Sequence, residues 1–180
     1  MRKNDPEKIK NSYLEIAQKL ENAGAGAIII CANTPHLVYD FVQPKIDIPI
    51  LHIADAIAKE AKQKDFKKLG LLGTKPTMTG DFLQGRLKKN HQIETIIPSQ
   101  EHIDETHRFI SEELTQGNFT ETAKNFYLEQ MQLLQDRGAD AIILGCTELP
   151  MLIKEKDTEI PLLDTTRLHA QLATEFILKD

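Results

Sequence analysis

The chain nearly repeats itself, and that repetition limits its fold more than any other feature. Gly24-Ala25-Gly26-Ala27-Ile28-Ile29-Ile30-Cys31-Ala32-Asn33-Thr34-Pro35 returns as Gly138-Ala139-Asp140-Ala141-Ile142-Ile143-Leu144-Gly145-Cys146-Thr147-Glu148-Leu149-Pro150, displaced by 138 − 24 = 114 positions. Downstream, Asp47-Ile48-Pro49-Ile50-Leu51-His52 is echoed by Glu159-Ile160-Pro161-Leu162-Leu163-Asp164, displaced by 160 − 48 = 112. Two echoes with nearly one period, far longer than a solenoid repeat, describe two similar lobes. The two cysteine segments then occupy equivalent places and face each other across a cleft.

Helix and strand signals alternate along the chain. Asp5 caps a helix with Pro6 at its first position, and Ile9, Tyr13, Ile16, Ala17 and Leu20 follow at helical spacing until Gly24. Apolar runs of the kind that lie in parallel strands covered on both faces occur at residues 27–31, 48–53, 69–73 and 141–145, with shorter ones at 94–97 and 161–163. Further helices are predicted from Pro76, from Ser99 or Gln100 to Gly117, from Thr120 to Gly138, and from about Thr166. The pattern predicts an α/β fold with parallel sheets in two pseudo-symmetric lobes, the active site lying between them. Residues 1–64 with 159–180 are assigned to the first lobe and 65–158 to the second. The strand at 69–73 precedes its Gly-Ala copy by 138 − 69 = 69 residues, whereas 23 residues precede the first copy, so the first lobe is expected to lack an opening strand.

Charge and hydropathy remove several function classes. A net charge of −5 without a lysine or arginine cluster argues against nucleic acid and anionic membranes as partners. No apolar run approaches the ~18 residues of a membrane span, and the first residues lack the apolar segment of a signal peptide, which places the chain in the cytoplasm. Two cysteines without paired spacing read there as thiols rather than a disulfide or metal ligands, and no metal site is expected.

Three segments carry a resemblance. Cys31-Ala32-Asn33-Thr34-Pro35-His36, Gly73-Thr74-Lys75-Pro76-Thr77-Met78 and Gly145-Cys146-Thr147-Glu148 resemble the signature segments of the aspartate/glutamate racemase family, the cofactor-independent amino-acid racemases. The resemblance implies two α/β lobes, a small-molecule amino acid as partner, no cofactor, and a proton shuttle between a thiolate and an opposing thiol. Members of that family often pair, so a homodimer is the assembly it allows. It also implies that Asn33, Thr34, Thr74, Thr77 and Thr147 contact substrate, and that Lys124 meets a substrate side-chain carboxylate.

The chemistry accounts for those residue types. Removing a weakly acidic α-proton without pyridoxal phosphate requires donors fixed in advance around the carboxylate, where charge develops. Hydroxyls and strand-end amides suit that task. Cys146 is expected to supply a thiolate, its pKa drawn down at a helix N-terminus. Cys31 stands one residue before the position that two-thiol members use, which is Ala32 here; strand alternation turns Cys31 toward the core. The second acid/base thus stays open among Cys31, His36 and a held water. Glu148 and Asp164 read as complements to helix N-termini, outside the catalytic core. Two rivals stand beside the racemase: a non-catalytic amino-acid-binding or inactive fragment, and a related isomerase acting on a hydantoin or small diacid.

Overall fold

Both copies of the repeat build the same unit of helix, strand, turn, strand and helix. In the computed structural model, which describes residues 5–179, the first copy comprises α1 (Pro6–Asn22), β1 (Ile28–Ile29), a 3-10 turn at Thr34–Val38 running into α2 (Tyr39–Val42), β2 (Ile50–Leu51) and α3 (Ile53–Gln63). An intervening segment carries β3 (Lys68–Gly73), α4 (Lys75–Thr79), α5 (Asp81–His91), β4 (Glu94–Ile96) and α6 (Gln100–Arg108). The second copy comprises α7 (Glu121–Asp136), β5 (Ala141–Gly145), α8 (Leu149–Leu152), β6 (Leu162–Asp164) and α9 (Thr165–Ile177).

The repeat extends to individual hydrogen bonds. Ile28 N donates to Pro49 O at 2.9 Å, and its counterpart Ile142 N donates to Pro161 O at 2.8 Å. Helices α1 and α7 both end in a glycine of positive φ, Gly24 at 87° and Gly138 at 88°, a conformation in which a Cβ would be strained. Asp5 caps α1 by accepting from Glu7 N and Lys8 N, and Thr120 caps α7 by accepting from Ala123 N. Even the caps of the closing helices correspond: His52 accepts from Ala54 N at the start of α3, and Asp164 accepts from Thr166 N at the start of α9.

The copies differ in how much sheet they carry. β1 and β2 form a two-stranded parallel sheet, whereas β5 and β6 extend β3 and β4 into a four-stranded parallel sheet of order β4-β3-β5-β6. Within residues 159–180, β6 is hydrogen-bonded to β5 in the larger sheet, while α9 packs against α3. Helix α3 also buries Ile53, Ala54, Ile57 and Ala61 with Leu69, Leu71, Leu163 and Leu168 on one face of the larger sheet, where it packs against α9. The opposite face is covered by α7 and the turns around Phe109, Ile110 and Leu114. Around β1 and β2 a small core of Ala17, Val38, Val42, Ile46 and Ile50 remains.

The runs at 27–31 and 48–53 yield only two paired residues each. β1 has one neighbour, and β2 gives way at His52 to the cap of α3, so the ladder ends there. Ile16, Leu20 and Ile29 are left exposed along this edge. By contrast, β3 and β5 pair over their full lengths from Leu69↔Ala141 to Gly73↔Gly145.

Candidate active site

The larger sheet switches direction between β3 and β5, since β3 is followed outward by β4 and β5 by β6. In open parallel sheets the crevice at the C-terminal ends of such strands receives ligands. Here it is opened by a pair of glycines. A Cβ on Gly73 would lie 2.9 Å from Gly145 O, and one on Gly145 would lie 2.8 Å from Leu72 O and 3.3 Å from Thr77 Cγ2. Thr74 leaves β3 and Cys146 leaves β5 directly after these glycines, so the two residues start side by side.

Three threonine hydroxyls meet at this point from two parts of the chain. Thr34 Oγ1 lies 3.1 Å from Thr74 Oγ1 and 3.0 Å from Thr77 Oγ1, and the latter two are 3.0 Å apart. Thr74 also caps α4 through Thr77 N. Mutually bonded hydroxyls at this spacing can redirect their O–H groups onto one shared anion, as a carboxylate requires. Asn33, beside Thr34, donates from Nδ2 to Thr165 Oγ1 at 3.0 Å, and Thr165 donates onward to Leu144 O at 2.9 Å. Asn33 is only 4% exposed, and its Oδ1 has no hydrogen-bond partner among the described residues. A buried acceptor without a donor is costly unless something else supplies one.

Cys146 is brought to the site, but not in the expected state. Its Sγ donates to Glu148 Oε2 at 2.8 Å, and the same oxygen accepts from Thr147 Oγ1 at 2.8 Å. Burial, reinforced by the acceptor Glu148, pushes the thiol up to about 12. Burial alone would raise Glu148 as well, yet the bonds from Cys146 and Thr147 hold its carboxyl below the usual range. The expected lowering fails for a physical reason: α8 is a single turn that starts three residues beyond Cys146, and the charged group at the sulfur is an anion. Glu148, set aside on sequence grounds as a helix complement, is thus the residue that the sequence reading missed.

Cys31 is also corrected. β1 stops at Ile29, residues 31–33 bend, and Ala32 N returns to Ile30 O at 2.8 Å, so strand alternation does not govern the side chain. Cys31 is exposed rather than core, and it lines a pocket of about 120 Å³ with Ala32, Asn33, Thr147 and His169. His36 is removed as a proton donor. Its Nδ1–H serves Ala32 O at 2.9 Å and Asn33 O at 3.2 Å, while Nε2 accepts from Ile53 N at 3.2 Å. Burial, with the neighbouring His169 adding to it, lowers this ring to about 4, so it stays neutral and braces the turn. Lys124, in the first turn of α7, forms an ion pair with Asp157 Oδ1 at 2.7 Å.

Comparison with known proteins decides the family. The sequence matches the Asp/Glu/Hydantoin racemase family over residues 2–173. The chain belongs to that family. The broad specificity amino-acid racemase RacX of Bacillus subtilis is 29% identical over 167 residues, which cover 93% of this chain and 71% of RacX. A glutamate racemase of Clostridium perfringens is 28% identical over 82% of this chain, and there the match spans only 55% of the relative. Among solved structures, a Yersinia pestis protein provisionally assigned as an Asp/Glu racemase superposes with a TM-score of 0.90 at 39% identity, covering 94% of this chain and 74% of the other. The two-lobed α/β fold of the family is therefore the fold of this chain. Among the described residues no helix is long and apolar enough to cross a membrane, and no group of three or more histidine, cysteine or acidic side chains is placed to hold a metal ion.

Proposed function

We propose that this chain is an amino-acid racemase that exchanges the α-proton by thiol chemistry without pyridoxal phosphate. The observation that carries this reading is the juxtaposition, at the ends of β3 and β5, of the threonine triangle with Cys146. The hydroxyls of Thr34, Thr74 and Thr77 hold the substrate carboxylate and stabilise the charge it gains as the α-carbon loses its proton. Cys146 rests as a thiol, so in the first half-turn it acts as the acid. A base on the opposite face takes the α-hydrogen as a proton, the bonding pair stays with the α-carbon and its carboxylate, and the Sγ–H bond breaks to return a proton from the other side. Cys146 is then a thiolate, competent to act as base in the reverse direction.

Cys31 is the candidate for the opposing group. It is exposed, it borders a pocket that Thr147 also lines, and His36 has no free ring nitrogen. The substrate class is a broad range of amino acids, since Lys124 is already neutralised by Asp157 and offers no uncompensated cation to an acidic side chain. The name of the RacX relative agrees with that breadth.

The test is deuterium uptake at the α-carbon alongside chiral chromatography of the product. Cys146→Ala should abolish both label uptake and interconversion for amino acids that the unaltered protein turns over. Uptake that persists unchanged in the variant removes Cys146 from the mechanism.

A further inference from the structure

Racemase substrates are zwitterions, and the threonine triangle answers only the carboxylate. The α-ammonium needs an acceptor within a few ångströms of the same place. The position of Glu148 meets this need. Its Oε2 accepts from both the Cys146 thiol and the Thr147 hydroxyl, each at 2.8 Å, so it lies on the thiol side of the crevice. The side chain is only partly buried, which leaves it reachable from the crevice. Asn33 contributes a second acceptor, the unpartnered Oδ1.

We propose, building on the racemase reading, that Glu148 is the acceptor for the substrate α-ammonium and that this contact frees the Cys146 thiol. In the ligand-free protein the carboxylate is occupied by Sγ–H and by the Thr147 hydroxyl. An ammonium is the stronger donor, because it adds a full positive charge opposite the carboxylate, whereas a thiol S–H is a weak, uncharged donor. When it takes Oε2, the thiol loses its acceptor and is free to turn toward the α-carbon. The charge that kept the sulfur protonated is neutralised at the same moment. No covalent bond changes in this step; one hydrogen bond is exchanged for another. Glu148 thus gates the thiol according to whether the ligand carries an ammonium, and deaminated acids of the same shape bind at the triangle without freeing Cys146.

The experiment compares L-aspartate with succinate, which is the same skeleton without the ammonium, by titration calorimetry on the full chain. Glu148→Gln keeps the shape and a hydrogen-bond acceptor but removes the charge. It should weaken L-aspartate roughly tenfold or more while leaving succinate within about twofold, and Glu148→Asp should recover part of the loss. Equal weakening of both ligands, or of neither, overturns the proposal. A second readout needs no ligand: site-resolved mass spectrometry of iodoacetamide labelling should show Cys146 reacting faster in Glu148→Gln than in the unaltered protein, because the negative charge that disfavours its thiolate is gone. Unchanged labelling also overturns it. Failure of the racemase reading looks different: the unaltered protein would then show no deuterium uptake at the α-carbon of any amino acid, whatever Glu148→Gln does to binding or labelling.

Discussion

Acidification should unfold this protein through two buried histidines. His36 and His52 meet edge to face with ring centroids 4.6 Å apart, and burial lowers them from 6.5 to about 4 and about 3 respectively, each helped by charge on neighbouring groups. The folded chain therefore refuses protons that the unfolded chain accepts. Stability is complete above the unfolded value of 6.5 and is lost progressively as pH falls toward the folded values. At ~1.4 kcal/mol per unit of pKa, each ring costs about 2.5 kcal/mol at about pH 4.5, or about 5 kcal/mol together. Small domains have only ~5–15 kcal/mol to lose, so the transition should be near at that pH. The assay is urea unfolding followed by far-ultraviolet circular dichroism at neutral pH and at about pH 4.5. His52→Asn keeps a capping acceptor for Ala54 N while removing one titrating ring, and should abolish about half of the loss. A stability difference below ~1 kcal/mol between the two pH values, or an identical difference in the variant, would refute the argument. Because His36 braces the Ala32–Asn33 turn, substrate binding should weaken over the same interval.

Three further outcomes follow from the geometry. Gly145→Ala should cost ~1–3 kcal/mol in chemical denaturation, because the new methyl meets the backbone oxygen of Leu72, which cannot move without disturbing β3; an unchanged midpoint would show slack at the strand ends. Iodoacetamide at neutral pH should modify Cys31 before Cys146, since the former is exposed and the latter is a buried, protonated thiol, and the opposite order by peptide mapping would contradict the assignment. Ile29→Lys should reduce self-association in sedimentation velocity, because it places a charge on an uncovered strand edge beside exposed Ile16 and Leu20; no change would mean that this edge is not sticky.

What could be read in the sequence was whatever the duplication controls. The Gly24 and Gly138 stops, the caps Asp5 and Thr120, and the full extent of β5 all follow from local chemistry that the repeat states twice. Pairing partners are a tertiary matter: nothing local to residues 162–164 tells whether they lie beside β5, where they pair, or beside β1. The site divides the same way. Neighbourhood at the ends of β3 and β5 follows from strand-end motifs, so the closeness of Thr74 and Thr77 to the start of the Cys146 segment was legible. Protonation depends on what burial brings near, and so the Cys146–Glu148 bond, the exposure of Cys31 and the pairing of Lys124 with Asp157 were hidden.

Thr34 arrives at the triangle from the turn after β1, while Thr74 and Thr77 belong to the turn after β3, so a carboxylate held there as proposed would be gripped by both halves of the molecule at once. Affinity and lobe spacing then share a single free energy. Solutes that favour the compact arrangement should tighten carboxylate binding without touching the site, and a mutation that props the halves apart should weaken binding and, by drawing Cys31 away from Cys146, slow turnover as well.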